Sequence, residues 1–175
     1  DLWVTVLLHI LFGENGSTGI LFKGGTSLSK GFNLIDRFSE DIDVTYSIDT
    51  LKKHYGEFEN PWNYFNDESN WSNKKLEKEL ANLKHIGQKC TDEVLLPMVQ
   101  NELQKITDLK FDVISKDEMT LYIHYPQLLE QSEYGGSYVK PVVKIEAGVR
   151  SARVPTIKKQ IDSFFEQVLE KSEPI

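Results

Sequence analysis

Two aspartates, Asp41 and Asp43, lie two positions apart in an alternating segment whose apolar members are Ile42 and Val44. Alternate side chains of a strand face the same side, so the two carboxylates are predicted to project together. Two such charges in contact repel by about 4 kcal/mol at an effective dielectric constant of about 20. A cation between them removes that repulsion. The pair therefore predicts a site for Mg²⁺ or Mn²⁺, although Asp-x-Asp at a strand end is also common on plain solvated surface.

A glycine pair, Gly24-Gly25, separates the apolar run 19–22 from a segment predicted to be helical. Thr26 or Ser27 is the expected N-cap of that helix, because each side chain can accept a hydrogen bond from the first turn. A strand, two glycines and a helix N-terminus bring backbone amides close to a phosphate. The alternative is an ordinary tight turn. Together with the aspartates, the turn favours a metal-bound nucleoside triphosphate.

These two segments, GGTSLSK at 24–30 and RFSEDID at 37–43, resemble the signature of the AbiEii/AbiGii-type nucleotidyltransferase toxins. That family belongs to the DNA polymerase beta-like nucleotidyltransferase superfamily, and the match is close over residues 20–46. The resemblance implies transfer of a nucleoside monophosphate from a triphosphate to an acceptor hydroxyl, with RNA among the candidate acceptors. It also implies a bacterial, cytoplasmic toxin–antitoxin or abortive-infection system with an antitoxin protein or a transcriptional partner.

Nucleotidyl transfer by two metal ions usually needs a third carboxylate on a neighbouring strand. Glu146 is the preferred candidate, because it is the one acid in the otherwise apolar strand segment 143–149. The resembling family carries a similar Lys-Ile/Leu-Glu stretch followed by Arg-Ser, here Arg150-Ser151. The alternative role for Glu146 is a structural ion pair, for example with Lys144. Asp112, flanked by Phe111 and Val113, is the competing third acid.

Four further residues are predicted to contact the nucleotide or to position the acids. Lys30 and Lys23 can both meet phosphate charge, but only one of them is expected to point into the site. Arg37 and Ser39 precede the acids at the entrance of the strand. They are expected to position Asp41 or to touch substrate, and Arg37 can equally neutralise the acids structurally.

Composition limits the class of protein. The chain has 175 residues, 39% hydrophobic and 27% charged, which suits one domain with a core. Its net charge of −7 signals no general attraction to nucleic acid. No apolar run is long enough to span a bilayer and no signal peptide is evident, which favours the cytoplasm. Cys90 and the four histidines lack zinc-ligand spacing, and Walker A and Gly-x-Ser-x-Gly patterns are absent.

The pattern of apolar residues predicts an α+β fold in which helices pack on a mixed sheet of about five strands. Pro97 is expected to kink the fourth predicted helix segment or to reset its start. The aromatic-rich stretch 49–72 is predicted to be irregular, with its rings packed over the core or stacking a base. The helices are predicted at 2–12, 26–34, 73–88, 92–106 and 156–170, and the strands at 19–23, 41–46, 110–114, 120–125 and 139–149.

We interpret residues 1–175 as one nucleotidyltransferase domain, and as part of a longer chain whose C-terminal helical region is missing. That region holds nucleotide and acceptor in the resembling family, so activity of the domain alone is uncertain. Two other functions fit the same residues. One is a catalytically silent module that binds nucleotide or protein, and the other is a nucleotidyltransferase that modifies a small molecule.

Overall fold

A computed structural model describes residues 2–13, 19–32, 34, 41–65, 71–116, 118–126, 141–149 and 157–161. The helices are α1 (Leu2–Phe12), α2 (Gly24–Thr26), α3 (Ile48–Tyr55), α4 (Asn73–Cys90) and α5 (Leu96–Ile106). The strands are β1 (Ile20–Lys23), β2 (Asp41–Tyr46), β3 (Asp112–Lys116), β4 (Thr120–His124) and β5 (Val142–Gly148). A π-helical turn (Ser27–Gly31) continues α2, and a 3₁₀ turn covers Pro61–Phe65.

The five strands form one mixed sheet in the order β1-β2-β5-β4-β3. The central pair, β2 and β5, runs parallel, while the other neighbours are antiparallel. The predicted α+β class and the five-stranded mixed sheet are therefore confirmed. No helix in the described part of the chain is both long and apolar enough to cross a bilayer.

The two faces of this sheet differ sharply. On one face lie Ile42, Val44 and Ile145, each fully buried beneath the helices. Apolar residues of α1, α4 and α5 complete this core, among them Leu7, Leu83 and Val99. Burying each such side chain contributes roughly 1.5–3 kcal/mol. Asp41, Asp43, Lys144 and Glu146 occupy alternate positions of β2 and β5, and they are half-buried on the opposite face.

Three predicted segments need correction. The helix expected at 26–34 begins earlier, at Gly24, and widens into the π-helical turn that ends at Gly31. The stretch 49–72 was predicted to be irregular, which is wrong for α3 and for the 3₁₀ turn. The aromatic residues and Pro61 concealed a helix whose N-cap is Ser47, since Ser47 Oγ accepts a hydrogen bond from Thr50 N at 3.1 Å.

The prediction for Pro97 is confirmed. A π-helical turn (Thr91–Leu95) joins α4 to α5, and Pro97 is the second residue of α5. Proline has no N–H to donate, so it is tolerated where the helical hydrogen bonding restarts.

The final helix predicted at 156–170 is wrong for the part that the structure describes, since 157–161 is not helical. Ile161 packs against the core while Ile157 is 66% exposed, so the two do not share one buried helical face. The remainder of that predicted helix and the start of the strand predicted from residue 139 lie outside the described residues.

Candidate active site

The sheet register places Asp43 beside Glu146 although about a hundred residues separate them in sequence. Asp43 pairs with Glu146 on the parallel strand β5 and with Lys23 on the antiparallel strand β1. Directly paired residues share a face, and neighbouring strands lie about 4.8 Å apart. Lys23, Asp43 and Glu146 therefore form a row across the polar face, which we call the carboxylate row.

Asp41 stands one step along the same face and pairs in register with Lys144. Lys144 Nζ lies 3.7 Å from Asp41 Oδ1, and both side chains are more than a third exposed. An ion pair this exposed contributes at most about 1 kcal/mol, because solvent screens it. The lysine that was considered as a structural partner of Glu146 is thus placed against Asp41.

The donor chemistry of these acids suits a hard divalent cation, which takes oxygen ligands. Asp41, Asp43 and Glu146 are the residues on this face that would hold it. Among the residues that the structure describes, however, no three acidic, histidine or cysteine side chains come close enough together to hold a metal ion. Binding of one ion by all three carboxylates would require them to lie closer together than they do in this structure.

The glycine turn lies directly against the carboxylate row. Gly24 has a φ of +73°, and a Cβ added there would lie 2.0 Å from Asp43 Oδ2. A side chain is therefore excluded at Gly24 both by conformation and by space. A Cβ on Gly25, in contrast, would meet no atom within 4 Å, so open space lies beside this backbone. The turn thus presents exposed backbone immediately next to Asp43.

The N-cap predicted at Thr26 or Ser27 is wrong, because α2 begins at Gly24 and its cap position is Lys23, without a side-chain cap bond. Thr26 is buried, and its Oγ1 donates to Asp41 O at 2.5 Å. Ser27 Oγ donates to Gly24 O at 2.8 Å. Thr26 therefore joins the short helix to the start of β2, and Ser27 braces the turn itself.

The two candidate lysines have different surroundings. Lys30 is only 8% exposed, and burial lowers the pKa of its ammonium group, because desolvation disfavours the charged form. Lys23 is exposed, and its Nζ would lie 3.3 Å from a Cβ placed on Gly148, two residues beyond Glu146. Of the two candidate lysines, Lys23 is thus the one that reaches across this face.

The competing third acid, Asp112, is remote from this row. It lies on the edge strand β3, three strands from β2, which is a lateral distance of about 14 Å. It pairs with His124, which in turn pairs with Val142, four residues before Glu146. The register thus favours Glu146. Arg37, Ser39 and the Arg150-Ser151 pair lie outside the described residues, so their predicted roles stay predictions.

Comparison with known proteins shows the family of this chain. Residues 7–174 match the model of the family described as nucleotidyl transferase AbiEii toxin, type IV toxin–antitoxin system. The chain belongs to the AbiEii family. No curated protein and no solved structure shows significant similarity to it. The predicted family is thereby confirmed, and with it the class of enzyme, a nucleotidyltransferase of the toxin–antitoxin type.

Proposed function

We propose that this AbiEii-family domain transfers a nucleoside monophosphate from a nucleoside triphosphate to an acceptor hydroxyl, with RNA as the leading acceptor class. Asp41, Asp43 and Glu146 act as ligands of Mg²⁺ or Mn²⁺. One observation carries this proposal: the register that pairs Asp43 with Glu146 while Gly24 lies against the Asp43 carboxylate. Acids and phosphate-binding backbone are thereby in one place.

The residues of the turn hold the triphosphate in this proposal. Gly24 and Gly25 offer backbone that a phosphate can approach, since no side chain shields it. Ser27 lies beside the same turn, and Thr26 keeps the turn in register with Asp41 through its hydrogen bond. Bound metal would offset the charge on the α-phosphate and on the attacking and leaving oxygens.

The Lys144–Asp41 ion pair acts as a stand-in for a cation at the carboxylate row. The positive charge of the Lys144 ammonium offsets the negative charge of Asp41 while no metal is bound. A metal bound at Asp41 would take the place of Lys144, whose ammonium would then be available to a phosphate oxygen on the same face. Lys30, Arg37 and Ser39 remain proposed nucleotide contacts on the strength of the family resemblance.

We place the enzyme in the bacterial cytoplasm, where triphosphates and RNA are available. As a member of a toxin family, it is expected to be held in check by an antitoxin protein or by a transcriptional partner. Neither partner is identified by the described residues.

The test is a calorimetric titration of the chain with Mg²⁺ and each nucleoside triphosphate, beside the Asp41→Ala/Asp43→Ala double variant. We expect metal-dependent binding that disappears in the double variant, with transfer of labelled nucleotide reduced at least ~100-fold. Asp108→Ala is the matched control, because Asp108 is an exposed acid between α5 and β3 and is not part of the carboxylate row.

Unchanged metal-dependent binding in the double variant would refute the proposed metal site. Nucleotide binding that needs no metal and supports no transfer would instead identify a catalytically silent binding module. Transfer to an aminoglycoside-type small molecule, but not to RNA, would assign the small-molecule alternative.

A further inference from the structure

A cleft of about 490 Å³ opens at the end of β5, between α4 and the turn that joins β3 to β4. We call it the α4 cleft and define it by Lys23, Lys84, His85, Gln88, Gly148 and Val149. Lys23, Lys84 and His85 are exposed basic side chains, and Glu118 is the acid in its lining. The lining is therefore basic in a chain whose net charge is −7.

A second hollow of about 400 Å³ adjoins the α4 cleft and shares Lys84 and Val149 with it. Its lining is more apolar and includes Leu80 and the indole of Trp62. Trp62 Nε1 donates to Val149 O at 3.3 Å, which fixes the ring beside the end of β5. An aromatic ring next to basic side chains is typical of surfaces that bind single-stranded nucleic acid.

The walls of the cleft are pre-formed. Glu118 and Met119 both have positive φ, +67° and +58°, a conformation that residues with a Cβ rarely adopt. Gln88 of α4 holds this turn, because its Oε1 accepts from Met119 N at 2.7 Å and its Nε2 donates to Lys116 O at 3.3 Å. Helix α4 can approach this turn closely because Gly87 has no side chain. A Cβ at Gly87 would lie 2.5 Å from Met119 Sδ.

The cleft and the glycine turn lie on opposite sides of the carboxylate row, in the direction of the strands. Thr26 bonds to Asp41, so the turn lies at the start of β2. Gly148 pairs with Thr45, two residues beyond the Asp43–Glu146 pair on the same face, and lines the cleft. The Lys23 side chain reaches from the row to the cleft, since Lys23 pairs with Asp43 and its Nζ approaches Gly148.

In phosphoryl transfer the attacking and leaving oxygens are roughly in line with the phosphorus between them. With the triphosphate on the glycine turn, pyrophosphate leaves on the side of the row where that turn lies. The attacking hydroxyl comes from the opposite side, where the α4 cleft opens. The hydroxyl oxygen forms a bond to the α-phosphorus, the bond from that phosphorus to the bridging oxygen breaks, and pyrophosphate takes the electron pair. The hydroxyl proton passes to water.

We infer that the α4 cleft receives the acceptor, and that this acceptor carries a phosphate near its attacking hydroxyl, as the end of a nucleotide chain does. This inference rests on the proposed function. Lys84 and His85 contact the phosphate, Lys23 is the member of the row that also lines the cleft, and Trp62 stacks against a base.

The experiment measures the anisotropy of a single-stranded RNA 12-mer that carries fluorescein at its 5′ end and a free 3′ hydroxyl. The whole chain is compared with Lys84→Gln and with Lys78→Gln, a matched control on the same helix that does not line either hollow. Inorganic phosphate serves as competitor. Each variant is also titrated with Mg²⁺ and nucleoside triphosphate.

We expect Lys84→Gln to bind the RNA about fivefold more weakly, as loss of one charge-assisted contact implies. Its slope of log affinity against log salt should fall by about 0.7, the value for one phosphate contact on a single strand. Lys78→Gln should change neither quantity, and triphosphate binding should be the same in all three proteins.

Equal effects of the two substitutions, or no RNA binding by the unaltered chain, would overturn the inference. Weaker triphosphate binding by Lys84→Gln would overturn it too, because the cleft would then hold the donor. Displacement of the RNA by millimolar inorganic phosphate alone would show a generic anion site and also count against a nucleotide chain. If Asp41→Ala/Asp43→Ala keeps its triphosphate binding while Lys84→Gln loses RNA, the metal site fails and the RNA-binding cleft stands.

Discussion

The two faces of the central sheet are built from the same strands, but one is apolar and buried while the other carries charged side chains. In β5, Ile145 is fully buried under the helices while its neighbours Lys144 and Glu146 lie on the open face. The buried face stabilises the fold through apolar area removed from water. The open face carries three carboxylates, Asp41, Asp43 and Glu146, interspersed with Lys23 and Lys144. One-residue steps along a strand therefore separate the residues that stabilise the protein from those proposed to do its chemistry.

The largest expected difference in stability between the two faces comes from substitutions at two adjacent positions. Ile145→Ala should lower the free energy of unfolding by roughly 2–5 kcal/mol, because it leaves a cavity in a close-packed core. Lys144→Ala should change it by less than about 1 kcal/mol, since its ion pair is exposed. Urea unfolding of both variants measures the difference. Similar losses in the two would show that the faces are not energetically distinct.

A second pair of substitutions tests how closely the glycine turn is fitted to the open face. Gly24→Ala should cost about 1–3 kcal/mol from its positive φ, and should also displace the Asp43 carboxylate and weaken metal-dependent triphosphate binding. Gly25→Ala should be far milder for stability, because its added methyl group meets no atom within 4 Å. Thermal unfolding compares the stability of the two variants, and calorimetry measures triphosphate binding by Gly24→Ala. Equal losses of stability would contradict the close fit of Gly24 against Asp43.

A third prediction concerns Cys90, which belongs to the buried side. Burial raises the pKa of its thiol to about 11, above the ordinary value of 9.0. The unfolded chain ionises first as the pH rises, so this contribution to stability is present below pH 9 and is lost between about pH 9 and 11. Cys90→Ala should lose less stability over that interval in urea titrations. A thiol reagent should react slowly at pH 8 until the protein unfolds, and fast reaction in the folded state would contradict the burial.

Local patterns predicted the elements well wherever one physical signal dominated. Period-two alternation located β2 and β5 closely, and the apolar spacing of residues 2–12 located α1 with its bounds. The prediction was wrong where signals conflicted. Aromatic residues and a proline obscured α3, and apolar spacing alone suggested a helix at 157–161 that packing does not produce. The Thr26 hydroxyl was expected to cap a helix, but it bonds to Asp41 O across the turn.

The amino-acid sequence was sufficient to predict two carboxylates on one face of a strand, a glycine pair before them, and the family to which the chain belongs. Those features are local, because side-chain periodicity and glycine conformation depend on neighbouring residues only. The pairing of Asp43 with Glu146, the exposure of Lys23, the burial of Lys30 and the basic cleft beside α4 were decided by the tertiary structure. Strand order and register bring together residues far apart in the chain, and they depend on how the whole buried face packs.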